Sequence, residues 1–216
     1  MADANYHRAD DDDDDEDGQE PEVGKSDKPT KDEAAPYTTI QQNLFKSRVV
    51  LIFGQITMKL AQTVSAQMLA LSVENDDPIR IFINSPGGHV EAGDTIHDMI
   101  RFIKPDVKVL GTGWVASAGA HIFLGASRDN RFCLPNTRFL IHQPLGGVGG
   151  KATDIAIEAR EIIKMRERLN NIIAHETGQP IEKVERDTDR NYWMSAEEAQ
   201  AYGLVTHIIE RSDQLS

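Results

Sequence analysis

The chain has 216 residues and a formal net charge of −12, with 39% hydrophobic residues and one cysteine, Cys133. A single cysteine excludes an intrachain disulfide and a cysteine-rich metal site, and no apolar run suits a membrane span or a signal peptide. The acidic balance without a Lys/Arg-rich stripe argues against a nucleic-acid partner, so we expect a soluble, cytoplasmic protein.

Most of the charge lies at the N-terminal end. Residues 1–35 hold 14 acidic and four basic residues, a net charge of −10, and eight consecutive acidic residues run from Asp10 to Asp17. Such a segment buries too little apolar surface to offset its chain entropy, so we predict a disordered tail over residues 1–36. Its role stays open between a solubilising tail and a regulatory element. Residues 37–216 suffice for one domain with a hydrophobic core.

From residue 48, short apolar runs alternate with helical stretches. The runs predict buried strands at 49–53, 79–83, 107–110 and 138–141, and helical spacing predicts helices at 60–73, 91–103 and 117–124. This alternation indicates an α/β domain with parallel right-handed crossovers. A further helix should begin after Ser195, with Glu198 completing a capping box and Gly203 ending the helix.

A long helix is predicted at about 153–175, and it has two apolar faces. One stripe is formed by Ile155, Ile162, Leu169 and Ile172, whereas Ile157, Ile163, Met165 and Ile173 lie off that stripe. A second apolar face suggests packing against another subunit, although burial in the chain's own core would give the same pattern.

Ser117 is the first candidate for chemistry. It follows a run of small residues and stands at the first turn of a predicted helix. Unpaired backbone N–H groups at a helix N-terminus can stabilise an anion beside the hydroxyl, which favours a nucleophile. Serine is also a common helix cap, so this position alone does not decide.

His142 and two glycines strengthen the case. His142 ends the strand at 138–141, on the carboxyl side of the sheet where Ser117 also leaves, and histidine is the usual base for serine. Gly87 and Gly88 follow Pro86 just past another strand and could supply oxyanion-hole N–H groups, although Ser-Pro-Gly-Gly alone is only a turn. Five of the other histidines fit structural roles, namely His89, His97, His121, His175 and His207.

Several motifs together resemble one family. They are Ser-Pro-Gly-Gly at 85–88, Ala-Ser-Ala-Gly-Ala at 116–120, Arg-Phe-Cys-Leu-Pro-Asn at 131–136, His-Gln-Pro at 142–144 and Ser-Ala-Glu-Glu-Ala-Gln-Ala-Tyr-Gly-Leu-Val at 195–205. In order and spacing they resemble the proteolytic subunit of the bacterial ATP-dependent Clp protease, from about Ile40 onward. The resemblance implies a crotonase-like fold of stacked α/β units with a protruding handle, which the long helix would form. It also implies a serine endopeptidase that cleaves unfolded polypeptides inside two stacked heptameric rings, a tetradecamer, fed by an AAA+ unfoldase.

The resemblance also assigns roles to residues. Ser117 would be the nucleophile and His142 the general base, with an oxyanion hole formed by the N–H groups of Gly88 and Ala118. Strands after Gly88 and after His142 would hold the peptide by main-chain pairing, through His89, Val90, Leu145 and Gly146. Asp189 and Arg190 would form ion pairs between rings. No metal or organic cofactor is expected, because ATP would be used only by the unfoldase, and the ring partners would be copies of this chain or sister subunits.

One residue departs from the family pattern. The third triad member is usually an aspartate, whereas Asn191 stands at that position. An amide oxygen can accept a hydrogen bond from His142 but brings no negative charge, so weak peptidase activity is expected. The alternatives are a weakly active or non-catalytic structural or regulatory subunit of a mixed Clp complex, and an acyl-CoA enzyme of the same superfamily, which would not need the Ser117 and His142 pair.

Overall fold

The computed structural model describes residues 31–144, 146 and 149–215. The helices are α1 (Lys31–Lys46), α2 (Met58–Glu74), α3 (Val90–Phe102), α4 (Ala118–Phe123), α5 (Ala152–Thr177), α6 (Ile181–Thr188) and α7 (Ala196–Tyr202). The strands are β1 (Val49–Phe53), β2 (Ile79–Ser85), β3 (Val107–Ala116), β4 (Arg131–Cys133), β5 (Arg138–Ile141), β6 (Tyr192–Met194) and β7 (His207–Ile208). Within the described residues, no helix combines the length and apolar character that crossing a membrane requires.

The strands form one mostly parallel sheet. Its main order is β1-β2-β3-β4-β7, and β5 branches from it by pairing in parallel with β3 and antiparallel with β6. Apolar side chains of β1, β2 and β3, such as Ile52, Ile81 and Val109, are fully buried in the core. The predicted α/β class is therefore confirmed.

Strand β3 is longer than the sequence predicts. The pattern indicates a strand at 107–110 followed by a turn of small residues, but β3 continues to Ala116. Its first half pairs with β4 and its second half pairs with β5, and the pairing with β2 shifts register between Ile83 and Ser85. The small residues serve close packing in a strand, since a Cβ added at Gly111 would lie 2.9 Å from Val115 Cγ2.

Other differences concern short elements. The three strands β4, β6 and β7 have two or three residues each, which is too short for a periodic pattern to reveal.

Helix α1 begins at Lys31, inside the segment predicted to be a disordered tail over 1–36, because good helix formers such as Glu33, Ala34 and Ala35 extend it. The rest of that tail, residues 1–30, lies outside the described residues. The predicted capping box of α7 is confirmed, because the Ser195 hydroxyl accepts from the Glu198 N–H and the Ser195 N–H donates to the Glu198 carboxylate.

Helix α5 projects from the domain. Residues 151–161 are all exposed, and Ile157 and Ile163 keep 52% and 56% of their surface accessible, whereas Ile173 near the other end is buried. The first half of α5 is therefore not buried in the core of its own subunit. Of the two interpretations of its apolar faces, the structure favours a face that another molecule covers.

Candidate active site

Ser117 lies at the sharp junction between β3 and α4. It is the N-cap of α4, with φ 56° and ψ −120°, and its N–H donates to the Leu140 carbonyl at 2.9 Å. A positive φ is rare for a residue with a side chain, so the surrounding structure must hold Ser117 in this conformation. Backbone strain of this kind is concentrated at functional sites.

The segment after β2 lies against Ser117. A Cβ added at Gly87 would lie 2.6 Å from Ser117 Cβ, and one added at Gly88 would lie 2.2 Å from the Ile56 carbonyl oxygen. Both glycines also have a positive φ, of 96° and 154°. Glycine at 87 therefore lets the backbone approach Ser117 closely, and glycine at 88 lets it approach the Ile56 backbone.

Two backbone N–H groups near Ser117 have no hydrogen-bond partner among the described residues. The Ile56 N–H donates to the Gly87 carbonyl, and the Ile56 carbonyl accepts from the His89 N–H. The Gly88 N–H, which lies between these two bonds in the chain, takes part in neither. Ala118 is the first residue of α4, so its N–H has no acceptor within the helix. These are the two groups to which the family resemblance assigns the oxyanion hole, a role that stays a prediction.

His142 and Ser117 line the same pocket. His142 follows the last residue of β5 and is half-buried, and the pocket is otherwise mostly apolar, with walls from Val90, Ile141 and Leu169. Among the described residues, no hydrogen bond joins the Ser117 hydroxyl to His142. The structure thus brings the two candidates to one pocket without the hydrogen bond of an engaged pair, which in unliganded sites is often long or misaligned.

Asn191 and His142 flank the last residue pair of β5 and β6. The antiparallel register ends with the pair Ile141 and Tyr192, so His142 follows and Asn191 precedes the last paired residues. Asn191 is exposed, and no hydrogen bond joins its side chain to His142 in the described part of the chain. Backbone pairing therefore ends one residue before His142 and one residue after Asn191, and a contact between the two stays a prediction.

The ring-contact candidates lie near this end of the site. Gln143 donates through its side chain to the Asp189 carbonyl at 2.7 Å, and the Asp189 carboxylate accepts from Arg166 of α5 at 3.4 Å within the chain. The Arg190 side chain is 89% exposed. Both residues are thus at the surface beside α5, and their contact with another ring stays a prediction.

One expected peptide-binding strand is replaced by a helix. His89 caps α3 and Val90 is the first residue of that helix, so the strand predicted after Gly88 was wrong beyond one extended residue. The sharp turn at Gly88 leads directly into α3. Val90 nonetheless lines the pocket of Ser117, so it can still touch a substrate. Leu145 lies outside the described residues, and Gly146 is exposed.

A buried histidine pair borders the pocket. His121 of α4 lines it and stacks on His97 of α3, with ring centroids 4.4 Å apart and planes 9° apart. Asp94 of α3 lies 2.9 Å from His121 Nε2 and accepts from Arg168 of α5 at 2.6 Å. Burial opposes ionisation of Asp94, but contacts with His121 and Arg168 outweigh it and lower its pKa. Burial, together with the charge of His121, lowers the pKa of His97.

No sequence pattern signals this pair. His97 and His121 are far apart in the chain, and only the packing of α3 on α4 joins them. The sequence predicts ordinary structural roles for both, and a position in the pocket wall cannot be inferred from their neighbours along the chain.

Comparison with known proteins assigns the chain to a protein family. The family model described as Clp protease matches residues 31–212. The chain is 62% identical over 169 residues to the ATP-dependent Clp protease proteolytic subunit 3 of Rhizobium meliloti. That alignment covers 78% of this chain and 87% of the relative. It is 58% identical over 201 residues to proteolytic subunit 2 of Gluconobacter oxydans, which covers 92% of this chain and 89% of the relative.

Solved structures agree with this assignment. ClpP1 from Listeria monocytogenes is 58% identical and superposes with a TM-score of 0.75, covering 82% of this chain and 99% of the other. An Asn-to-Asp mutant of the same protein gives a TM-score of 0.77 at the same identity and coverage.

Proposed function

The chain belongs to the Clp protease family and is a serine-type endopeptidase subunit of an ATP-dependent Clp protease, and from this premise we propose that Ser117 and His142 perform its chemistry. The observation that carries the proposal is the placement of Ser117 at a strained turn, in one pocket with His142 and beside two N–H groups that lack a partner within the described residues.

The proposed reaction follows from this arrangement. His142 takes the proton of the Ser117 hydroxyl as its oxygen attacks the carbonyl carbon of the peptide bond. The N–H groups of Gly88 and Ala118 donate to the oxyanion of the tetrahedral intermediate, which collapses as His142 gives its proton to the leaving amine. Water then releases the acyl group by the same steps in reverse. Side chains and backbone supply every group in this scheme, and ATP is used only by the partner unfoldase.

We propose that Asn191 holds His142 but limits its rate. Asn191 and His142 flank the last residue pair of β5 and β6, which supports the proposal, and the Asn191 amide oxygen can accept a hydrogen bond from the imidazole. It supplies no negative charge to stabilise the imidazolium formed during attack. The penalty for losing the acid of a triad reaches about 10⁴-fold in turnover where the wrong tautomer also results.

The test combines labelling with turnover. A fluorophosphonate probe should label wild-type protein and not Ser117→Ala, and Asn191→Asp should raise hydrolysis of a fluorogenic peptide at least tenfold. Asn171→Asp, which adds the same charge on the exposed surface of α5, should leave the rate unchanged. Absence of labelling at Ser117 in every variant and assembly would overturn the nucleophile assignment, and equal rates for wild type and Asn191→Asp would overturn the handicap.

A second candidate is a structural or regulatory role in a mixed complex. It is favoured by the absence of hydrogen bonds among Ser117, His142 and Asn191 within the described residues. In that case, the probe should capture Ser117 only after a sister proteolytic subunit is added. Labelling of the isolated chain at the same rate as in the mixture would exclude this role.

We propose that α5 packs against another subunit in a ring assembly, with Asp189 and Arg190 adding ion pairs between rings. The exposed Ile155, Ile157 and Ile163 support this contact, because a water-exposed apolar face is costly. Ile157→Asp should shift the native mass toward smaller assemblies, whereas Ile157→Leu should keep the wild-type mass. Equal masses for all three proteins would contradict it.

We also propose that this protease subunit is cytoplasmic.

A further inference from the structure

The peptide unit that joins Gly87 to Gly88 is bonded at one edge and open at the other. Its carbonyl oxygen, that of Gly87, accepts from the Ile56 N–H at 2.9 Å, and the Ile56 carbonyl accepts from the His89 N–H at 2.9 Å. These two bonds make an isolated parallel bridge between Ile56 and Gly88. The N–H of the same peptide unit, that of Gly88, has no acceptor among the described residues.

This segment lies between Ile56 on one side and Ser117 on the other. A Cβ added at Gly88 would lie 2.2 Å from the Ile56 carbonyl oxygen, whereas one added at Gly87 would lie 2.6 Å from Ser117 Cβ. The C=O and N–H of a planar trans peptide unit point in opposite directions. Because the Gly87 carbonyl points to Ile56, the Gly88 N–H points to the opposite side, where Ser117 lies.

The orientation of this peptide unit depends on its hydrogen bond, because both neighbouring α-carbons belong to glycine. Rotation of the unit by about 180° changes only ψ of Gly87 and φ of Gly88, and no Cβ resists the change. The rotated unit would turn the Gly87 carbonyl oxygen toward Ser117. Its partial negative charge would then repel an oxyanion at the place where a donor is needed.

Ile56 is itself firmly held. Its side chain is buried in the core. Before it in the chain, the Gly54 N–H donates to the Asn84 carbonyl at 2.9 Å. After it, Thr57 caps α2 by accepting from the Leu60 N–H at 3.1 Å. A residue fixed on both sides and through its side chain can hold a neighbouring peptide unit in one orientation.

We propose that Ile56 is a positioning residue for the oxyanion hole. Its backbone N–H binds the Gly87 carbonyl and thereby keeps the Gly88 N–H directed toward Ser117. Ile56 does not line the pocket, so it acts on the reaction only through this peptide unit. The inference rests on the proposed function, in which the Gly88 N–H donates to the oxyanion.

The experiment deletes single N–H groups by replacing an amide with an ester. Cell-free translation with a tRNA that carries the α-hydroxy analogue of isoleucine gives the full-length protein with an ester at position 56, which keeps the side chain and replaces N–H by oxygen. A peptidyl diphenyl phosphonate then modifies Ser117, and intact-mass spectrometry follows the adduct. Its dependence on probe concentration gives the maximal rate and the half-saturating concentration, which report chemistry and binding separately.

The Ile56 ester should lower the maximal rate about tenfold, because the donor loses the hydrogen bond that orients it. The half-saturating concentration should stay within about twofold of wild type, because the pocket walls are unchanged. The matched control is the same ester at Ile209, whose N–H donates to the Cys133 carbonyl at 2.9 Å away from the pocket. This control loses a backbone bond of equal length and should keep the wild-type rate.

A second ester tests whether Ile56 acts through Gly88. An ester at position 88 removes the proposed donor itself and should lower the maximal rate about 100-fold. Addition of the Ile56 ester should then bring no further loss, because the group that Ile56 orients is gone. If the Ile56 ester does not fold, as judged by circular dichroism, Thr57→Ala loosens the same loop and replaces it, again with no further loss expected beside the Gly88 ester.

The outcomes separate this inference from the one on which it rests. An unchanged maximal rate in the Ile56 ester, an equal fall in the Ile209 ester, or losses that multiply with the Gly88 ester each overturn the role of Ile56 and leave Ser117 as the nucleophile. A wild-type rate in the Gly88 ester removes Gly88 from the oxyanion hole and overturns both proposals about that hole. If the probe does not modify Ser117 in wild type, alone or with a sister subunit, the proposed nucleophile fails.

Discussion

Substitution of Gly87 by alanine should slow the reaction of Ser117 by more than the accompanying loss of fold stability explains. Gly87 has φ 96°, and an added Cβ would lie 2.6 Å from Ser117 Cβ and 2.9 Å from the Ala116 carbonyl oxygen. Both neighbours belong to the turn that presents the nucleophile. The new methyl group therefore pushes on the proposed site directly.

The magnitude follows from these distances. Two carbon atoms in contact prefer about 3.5 Å or more, so Ser117 and Gly87 must separate by about 1 Å. A displacement of this size at a reacting atom can cost about 100-fold in rate. The left-handed backbone adds about 1–2 kcal/mol of strain, which lowers the free energy of unfolding without acting on the site.

Gly54→Ala is a suitable control. Gly54 has a positive φ of 80°, but an added Cβ would meet nothing within 4 Å. It should thus lose a similar amount of stability and keep the wild-type rate of fluorophosphonate labelling at Ser117. Gly87→Ala should label about 100-fold more slowly at a temperature where both variants are folded, as judged by circular dichroism.

Two results would refute the reasoning. If Gly87→Ala labels as fast as wild type, the segment 87–88 does not fix the nucleophile. If both variants lose labelling equally, backbone strain rather than the contact with Ser117 controls the site.

Three further predictions concern stability and reactivity. Glu176 accepts from the fully buried Arg131, and although burial opposes its ionisation, Arg131 lowers its pKa below the ordinary 4.5. The ion pair therefore stabilises the fold fully above about pH 4.5, and this stabilisation is lost as the pH falls through the folded-state pKa. Glu176→Gln should lower the free energy of unfolding in urea by about 2–3 kcal/mol at pH 7 and by less at pH 3. An equal loss at both pH values would contradict this. Cys133 is fully buried and burial raises the pKa of its thiol to about 12, so Ellman's reagent at pH 8 should react only after denaturant is added, and rapid reaction of the native protein would disprove it. Ser195→Ala removes the capping box of α7 and should lower stability by about 1 kcal/mol, or the melting temperature by about 2–4 °C in a thermal scan, whereas an unchanged value would mean that tertiary packing alone holds α7.

The sequence predicts those elements whose pattern is local and long enough to recognise. The predicted strands at 49–53 and 138–141 are correct to the residue, and the boundaries of α7 follow from Ser195, Glu198 and Gly203. β6, with three residues, escapes prediction because it exists only through pairing with β5. The same pairing ends at Ile141 and Tyr192, next to His142 and Asn191, so the sequence could relate these two residues only through a resemblance.

The site is predictable in part for a related reason. Ser117 and His142 follow strands that pair in the sheet, so the alternation of strands and helices along the chain was enough to place them at a common edge. The strand before Ser117 is harder to predict, because its small residues are typical of a loop. In the structure these residues allow β3 to continue between Ser85 and β5. His121 reaches the pocket wall through packing of α4 on α3, which has no signature in sequence.

The projecting start of α5 has a consequence for how the protein folds. Residues 151–161 have exposed side chains, so in an isolated subunit only the helix's own backbone and side chains hold this stretch. Helices of about a dozen residues are marginal in water when tertiary contacts are missing. The order of this segment should therefore depend on protein concentration: dilution should increase its amide hydrogen exchange, while the sheet beneath Ser117 keeps its protection.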